Sequence, residues 1–181
     1  SPWLANGCLS PRMIYHEIRK FEAHVTANES TYWLIFELIW RDFFHAVAFQ
    51  RGAGLFHFTT VGKRRPPSGN DPTILASWRN GTTGQDFIDA NMRELNATGY
   101  MSNRGRQITA SYLIHDLGLD WRLGAAHFES QLIDYDPCSN WGNWAYIAGV
   151  GNDPRGGRAF NVQKQQHRYD PDRAYCHHWL P

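Results

Sequence analysis

The sequence predicts an all-α domain, and three observations carry that prediction. Apolar residues recur at the three-to-four spacing of a helix, as in Ile14, Ile18, Phe21 and Val25. Capping signals bracket such runs: Ser10-Pro11, Ser102 and Asp120 suit helix starts, while Gly81 and Gly99 suit helix ends. No stretch alternates apolar and polar residues with the period of two that a half-buried strand needs. At 181 residues the chain fits one domain with enough apolar content for a core.

From the N-terminal side, Ser10 caps a helix over residues 11–26, with Pro11 at its first position. A second helix is expected from about Thr31 to Phe49, stopped by Arg51-Gly52. Its stripe of Trp33, Phe36, Trp40, Phe43 and Val47 predicts a wide buried face. Glu37 and Arg41 sit one turn apart on it, the spacing of an ordinary ion pair. Residues 52–72 contain Gly, Pro and the run Lys63-Arg64-Arg65, and read as a loop. A basic loop of this kind is more often solvated than a binding site.

A short helix over residues 72–78 precedes Gly81. Another over residues 85–97 turns Phe87, Ile88, Met92 and Leu95 inward before Gly99. Ser102 opens a helix that carries Asn103, Arg104 and Arg106 in its first turns and runs to Gly118. Asp120 caps the next, which holds Trp121, Phe128 and Leu132. After Gly149 the chain turns irregular, with helical pieces near residues 161–168 and 173–179.

A formal net charge of +1 does not mark a nucleic-acid binder by bulk charge, so an anionic partner needs a local patch. Cys8, Cys138 and Cys176 form no paired framework, which points to reduced thiols in a reducing, intracellular compartment. Nothing approaches a membrane span, and the first residues lack a basic and apolar leader pattern. The glycine-rich segments GVGNDPRGGR and RGAG follow no strand and lack phosphate-loop spacing. Cys176-His177-His178 has no second ligand cluster at zinc spacing, and no metal is expected. No GxSxG elbow supports a hydrolase.

The span from Asp116 to Asn152 is the densest in chemistry. It holds Asp134, Asp136 and Asn140 together with Trp121, Trp141 and Trp144, out of eight tryptophans in the chain. Asp134 and Asp136 are two positions apart, so one helical face cannot present both. Pro137 follows at once and suggests a helix end turning into a loop. As acceptors the two carboxylates suit ring N–H or ribose hydroxyl donors, with Arg41 and Arg106 to neutralise them. A capping and salt-bridge cluster accounts for the same residues equally well.

Five segments add a resemblance: ELIWRDFF (37–44), GYMSNRGRQ (99–107), DLGLDWR (116–122), LIDYDPCSNWGNW (132–144) and YIAGVGNDPR (146–155). In this order they resemble the flavin domain of the cryptochrome/photolyase family, most of all its DASH-type cryptochromes. The resemblance runs from Ser1 to Pro181. It implies a helical domain that cradles FAD, and it places Ser1, Glu37, Arg41, Asn103, Arg106, Asp134, Asp136 and Asn140 around that cofactor. It implies that Asn140 lies beside the reactive flavin nitrogen, that Arg106 and Asp134 form a salt bridge near the ring, and that Asp136 accepts from a ring N–H. Glu37, Trp40 and Gln107 match positions facing a DNA lesion, Asn103 and Arg104 match a DNA-contacting pair, and Tyr146 joins this DNA-binding set.

The activity implied is repair of cyclobutane pyrimidine dimers in single-stranded DNA by light-excited reduced flavin, with blue-light signalling through partners as the alternative. Glu37 would hydrogen-bond or protonate the dimer anion, and Trp40 would stack on extruded bases. Trp144 and Trp121 match the inner and middle members of a tryptophan relay that reduces the flavin. The outer member would stand at residue 68, where this sequence has Ser68. The resemblance also implies an N-terminal α/β antenna domain, with a folate-type pigment, and a first part of the flavin domain outside this sequence. Weak FAD binding or failure to fold alone is therefore the expectation for the isolated piece. The sequence is silent on oligomeric state.

Overall fold

A computed structural model describes residues 1–59, 65–153 and 156–181, so Lys63 and Arg64 of the basic run lie outside the described residues. The described chain is helical: α1 (Pro2–Ala5), α2 (Pro11–His24), α3 (Glu29–Arg51), α4 (Pro72–Asn80), α5 (Asp86–Thr98), α6 (Asn103–Ser111), α7 (Trp121–Gln131), α8 (Pro137–Ala148), α9 (Val162–Tyr169) and α10 (Ala174–Trp179). Among the described residues there is no strand, only one isolated parallel bridge between Gly69 and Leu119. None of the described helices is long and apolar enough to cross a membrane.

The caps act where the sequence places them. Ser10, Ser102 and Asp120, and in addition Asp71, which the sequence reading did not name, each accept a backbone N–H in the first turn of the helix they open. Asn28 and Thr31 add a reciprocal capping box at the start of α3. Each such cap satisfies a donor that a helix start leaves orphaned and contributes about 1 kcal/mol.

The core gathers on α5 to α8. Ile88, Met92, Leu95, Ile108, Leu113 and Trp121 are among its fully buried members. The expected inward set of α5 is buried throughout, from Phe87 to Leu95. α7 and α8 pack as a pair, and Trp144 lies against Gly124 so closely that an added Cβ would fall 2.2 Å from its Cη2. α3 packs on α8 in a similar way: a Cβ on Gly142 would fall 2.3 Å from Phe44 Cδ1.

Several expectations change. Phe44, not the expected stripe, is the buried residue of α3; Trp33 and Phe43 are exposed. The reason is the anchoring of α3 through Phe44 at Gly142, which turns Trp33, Phe36 and Trp40 towards the open second cleft. On α2 only Ile18 is buried, while Phe21 and Val25 are exposed. Arg41 pairs with Asp42 at 3.1 Å instead of with Glu37. The helix expected to run to Gly118 is α-helical only to Ser111, then continues as a π-helical turn over Tyr112–Asp116. The loop after α3 starts with a 3-10 turn, Gly52–Phe56, that buries Leu55. Pro137 opens α8 instead of ending a helix, and Asp136 is its N-cap.

Candidate functional site

Two adjoining clefts lie between α3, α6, α7 and α8. The first has a volume of about 110 Å³ and is walled by Arg106, Asp134, Asp136, Asn140 and Trp144. The second is wider, about 430 Å³, and is walled by Glu37, Trp40, Arg41, Arg104 and Tyr146. Asn103, Gln107, Ser139, Asn143 and Ile147 line both.

The floor of the first cleft is set by a fixed ion pair. Arg106 Nη2 donates to the two Asp134 oxygens at 3.1 and 2.8 Å, and its Nε donates to the Met101 carbonyl at 2.8 Å. Asp134 is only 5% exposed and also accepts from the Ser1 hydroxyl. A buried carboxylate needs such partners to stay charged. Asp136 differs. One of its oxygens accepts from the Ser139 N–H at 2.7 Å as the cap of α8, and the other meets His45 Nε2 at 3.1 Å. Asn140 donates from Nδ2 to the Ala125 carbonyl at 3.0 Å, which ties α8 to α7 at the cleft wall.

The lining also includes the apolar Ala110, Phe128, Leu132 and Ile147. Carboxylate and amide groups together with apolar surface match a flat heteroaromatic ring with a polar edge. The residues present therefore fit a flavin. Glu37 lines the second cleft, where burial pushes its carboxyl above the usual carboxylate range. Trp40 stacks on Phe44 and meets the Tyr146 ring edge-on at 6.0 Å. The Tyr146 hydroxyl accepts from Arg158. Arg104 lies over the Phe160 and Tyr169 rings at 5.7 and 5.3 Å.

The sequence-predicted residues thus separate into two groups. Ser1, Arg106, Asp134, Asp136 and Asn140 gather on the first cleft, Glu37, Trp40, Arg41, Arg104 and Tyr146 on the second, and Asn103 and Gln107 stand between. Trp121 is buried and lines neither cleft. Ser68 is exposed, one residue before the bridge of Gly69 to the segment that leads into Trp121. Sequence reasoning missed His45, although residues 37, 41 and 45 share one helical face. His45, Asp136 and Cys138 bring an imidazole, a carboxylate and a thiol within 4.8 Å of one another.

The fold and the first cleft together define a helical flavin-binding domain. The sequence family described as the FAD binding domain of DNA photolyase matches residues 33–181. The chain belongs to that family, the cryptochromes and photolyases, and FAD is its cofactor. A Cryptochrome DASH from Synechocystis sp. is 57% identical over 181 residues, covering 100% of this chain and 37% of that protein. A solved Synechocystis sp. PCC6803 cryptochrome superposes with a TM-score of 0.94 at 57% identity, covering 100% of this chain and 38% of that one. A class III photolyase from Agrobacterium tumefaciens gives 0.88 at 34% identity, covering 99% and 37%. The chain therefore spans well under half of these relatives.

Proposed function

We propose that this chain is the C-terminal portion of the flavin domain of a DASH-type photolyase, and that its parent protein repairs cyclobutane pyrimidine dimers in single-stranded DNA. The observation that carries this reading is the shared wall of the two clefts. Asn103 and Gln107 from α6 and Asn143 from α8 border both, so a cofactor in the first is a neighbour of a base in the second.

FAD held among Arg106, Asp134, Asp136 and Asn140 would supply light-driven electron donation. The chain's own residues bind and orient. Arg106 and Asp134 form the fixed ion pair of the first cleft, Asp136 and Asn140 would hold the polar edge of the ring, and Arg41 lines the second cleft on the substrate side. Glu37 lines the second cleft, where desolvation raises its carboxyl, and would hydrogen-bond or protonate the dimer anion. Trp40 offers a flat face to an extruded base, with Tyr146 beside it. Arg104 and Asn103 take the DNA backbone at the rim. Single strands spare the energy of unstacking a duplex. The site of action is a reducing, DNA-containing compartment, and an antenna pigment would belong to another part of the parent.

The test is repair of dimer-containing single strands by the full-length, FAD-reduced parent under blue light. Repair above a dark control is expected, and its absence overturns the reading. A second reading, a blue-light receptor that signals through partners, is favoured by the cryptochrome names of the relatives. Under that reading light changes partner binding while dimers persist.

A further inference from the structure

The outward end of the tryptophan relay is the open question, because residue 68 is an exposed serine. Trp144 borders the cofactor cleft. Its indole lies against Gly124 of α7. Trp121 stands one turn earlier on α7, and Trp141 one turn earlier on α8. Those two meet edge-to-face with ring centroids 5.7 Å apart. The helix pair thus carries three indoles: Trp144 at the cleft, and the touching pair of Trp121 and Trp141. Phe56 meets the Trp141 ring edge-to-face with centroids 4.9 Å apart.

A different property sets Trp141 apart. Oxidation makes an indole radical cation, which is a far stronger acid than the neutral ring, so a nearby base decides where the hole rests. Trp78, which also touches Trp144, gives its N–H to the Thr109 carbonyl at 3.2 Å. Trp121 gives its own to the Phe58 carbonyl at 3.1 Å. Carbonyls cannot take a proton here. Trp141 gives its N–H to the Glu129 carboxylate at 3.0 Å, and Glu129 is exposed to solvent.

We propose that Trp141 is the terminal electron donor when light reduces the bound flavin, with Glu129 as the acceptor of its indole proton. This rests on the flavoprotein reading above. Trp144 gives one electron to the light-excited oxidised cofactor, Trp121 refills Trp144, and Trp141 refills Trp121. The N–H proton of oxidised Trp141 passes to the Glu129 carboxylate and on to water, leaving a neutral tryptophanyl radical. A thiol from solution then supplies an electron, a proton returns to the indole nitrogen through Glu129, and the thiol ends as a thiyl radical after losing its own proton to water. The cofactor has gained one electron and the thiol has lost one. Glu129 is a positioning and proton-accepting residue, since it touches the donor and not the cofactor.

The Tyr135 hydroxyl lies beside both Glu129 and Trp141 and is the rival terminus. Flash photolysis and radical spectroscopy of the full-length, FAD-loaded parent separate the two. The expected result is a long-lived neutral tryptophanyl radical that Trp141→Phe abolishes and Tyr135→Phe leaves intact. Glu129→Gln is expected to convert it to a short-lived tryptophanyl cation that recombines with the cofactor. Resonance Raman bands of indole hydrogen bonding, read in the dark without any turnover, should shift in Glu129→Gln. An undiminished radical yield in Trp141→Phe, a tyrosyl signal lost in Tyr135→Phe, or an unchanged radical in Glu129→Gln overturns the proposal. A parent that binds no flavin overturns the underlying functional reading as well, and is seen at once in its visible absorbance.

Discussion

Phe44 and Gly142 meet so tightly that no side chain fits between them: a Cβ on the glycine would lie 2.3 Å from Phe44 Cδ1 and 2.7 Å from Cε1. This contact seats α3 against α8 and so fixes where Glu37, Trp40 and Arg41 stand relative to Asn140.

Gly142→Ala is therefore expected to push Phe44 outward and tilt α3. Overpacking of this kind costs about 1–3 kcal/mol. Thermal unfolding of the FAD-loaded parent should show the loss, together with weaker binding of dimer-containing DNA. An unchanged midpoint would mean that Phe44 can swing aside freely.

Removing Arg106 leaves Asp134 buried without the cation that donates to both of its oxygens. Breaking a buried pair costs about 3–5 kcal/mol, and the low end applies because the guanidinium is partly exposed. Arg106→Leu should lose most bound FAD on gel filtration. Arg106→Leu combined with Asp134→Leu should recover part of the stability without recovering the flavin.

Glu37→Gln should retain the flavin and slow repair by about 100-fold, the lower range for a positioned proton donor. The raised position of the Glu37 carboxyl gives this a pH signature. The wild-type rate should fall as pH climbs through that raised value and the proton is lost, whereas the glutamine variant should be flat. Parallel pH profiles for the two proteins would remove Glu37 from the chemistry.

His127 supplies a stability test away from the clefts. Burial, with the Arg79 charge added, lowers its imidazole to about 4, and its Nε2 is buried without a hydrogen-bond partner. The unfolded chain takes up that proton near the usual 6.5 and the folded chain does not. Stability should therefore be lost as pH falls from about 6.5 to about 4, by about 2 kcal/mol once partial exposure is discounted. His127→Gln should flatten that part of the curve, which denaturant titration across the interval would read.

The reach of sequence reasoning differs between neighbouring helices. α5 was legible because Phe87, Ile88, Met92 and Leu95 recur on one face and neighbours cover that face. α8 was not, since PCSNWGNWAYIA has no single apolar stripe: Trp141, Gly142, Trp144, Ala145, Ile147 and Ala148 are buried around much of its girth. Pro137 misled for a related reason, because proline stops a helix in its interior but starts one at the first position. The stripe on α3 has helical period, yet it faces a cleft, and periodicity does not distinguish a core from a ligand. The Arg106–Asp134 pair came from resemblance, since no spacing rule joins residues 28 apart. His45 was within reach through the 37, 41, 45 face but drew no notice. The contact of Trp141 with Glu129 depends on how α7 and α8 pack and has no local signal.

Ser139, Asn143 and Ile147 follow one another every four residues along a single edge of α8 and border both clefts. An occupant of either cleft leans on that same edge. Binding free energies around a closed cycle must sum to zero, so whatever factor by which one occupant changes the grip on the other is returned in full. Loss of affinity for lesion-bearing DNA on removal of the flavin, and loss of affinity for flavin on removal of the DNA, are for this domain one number measured from two directions.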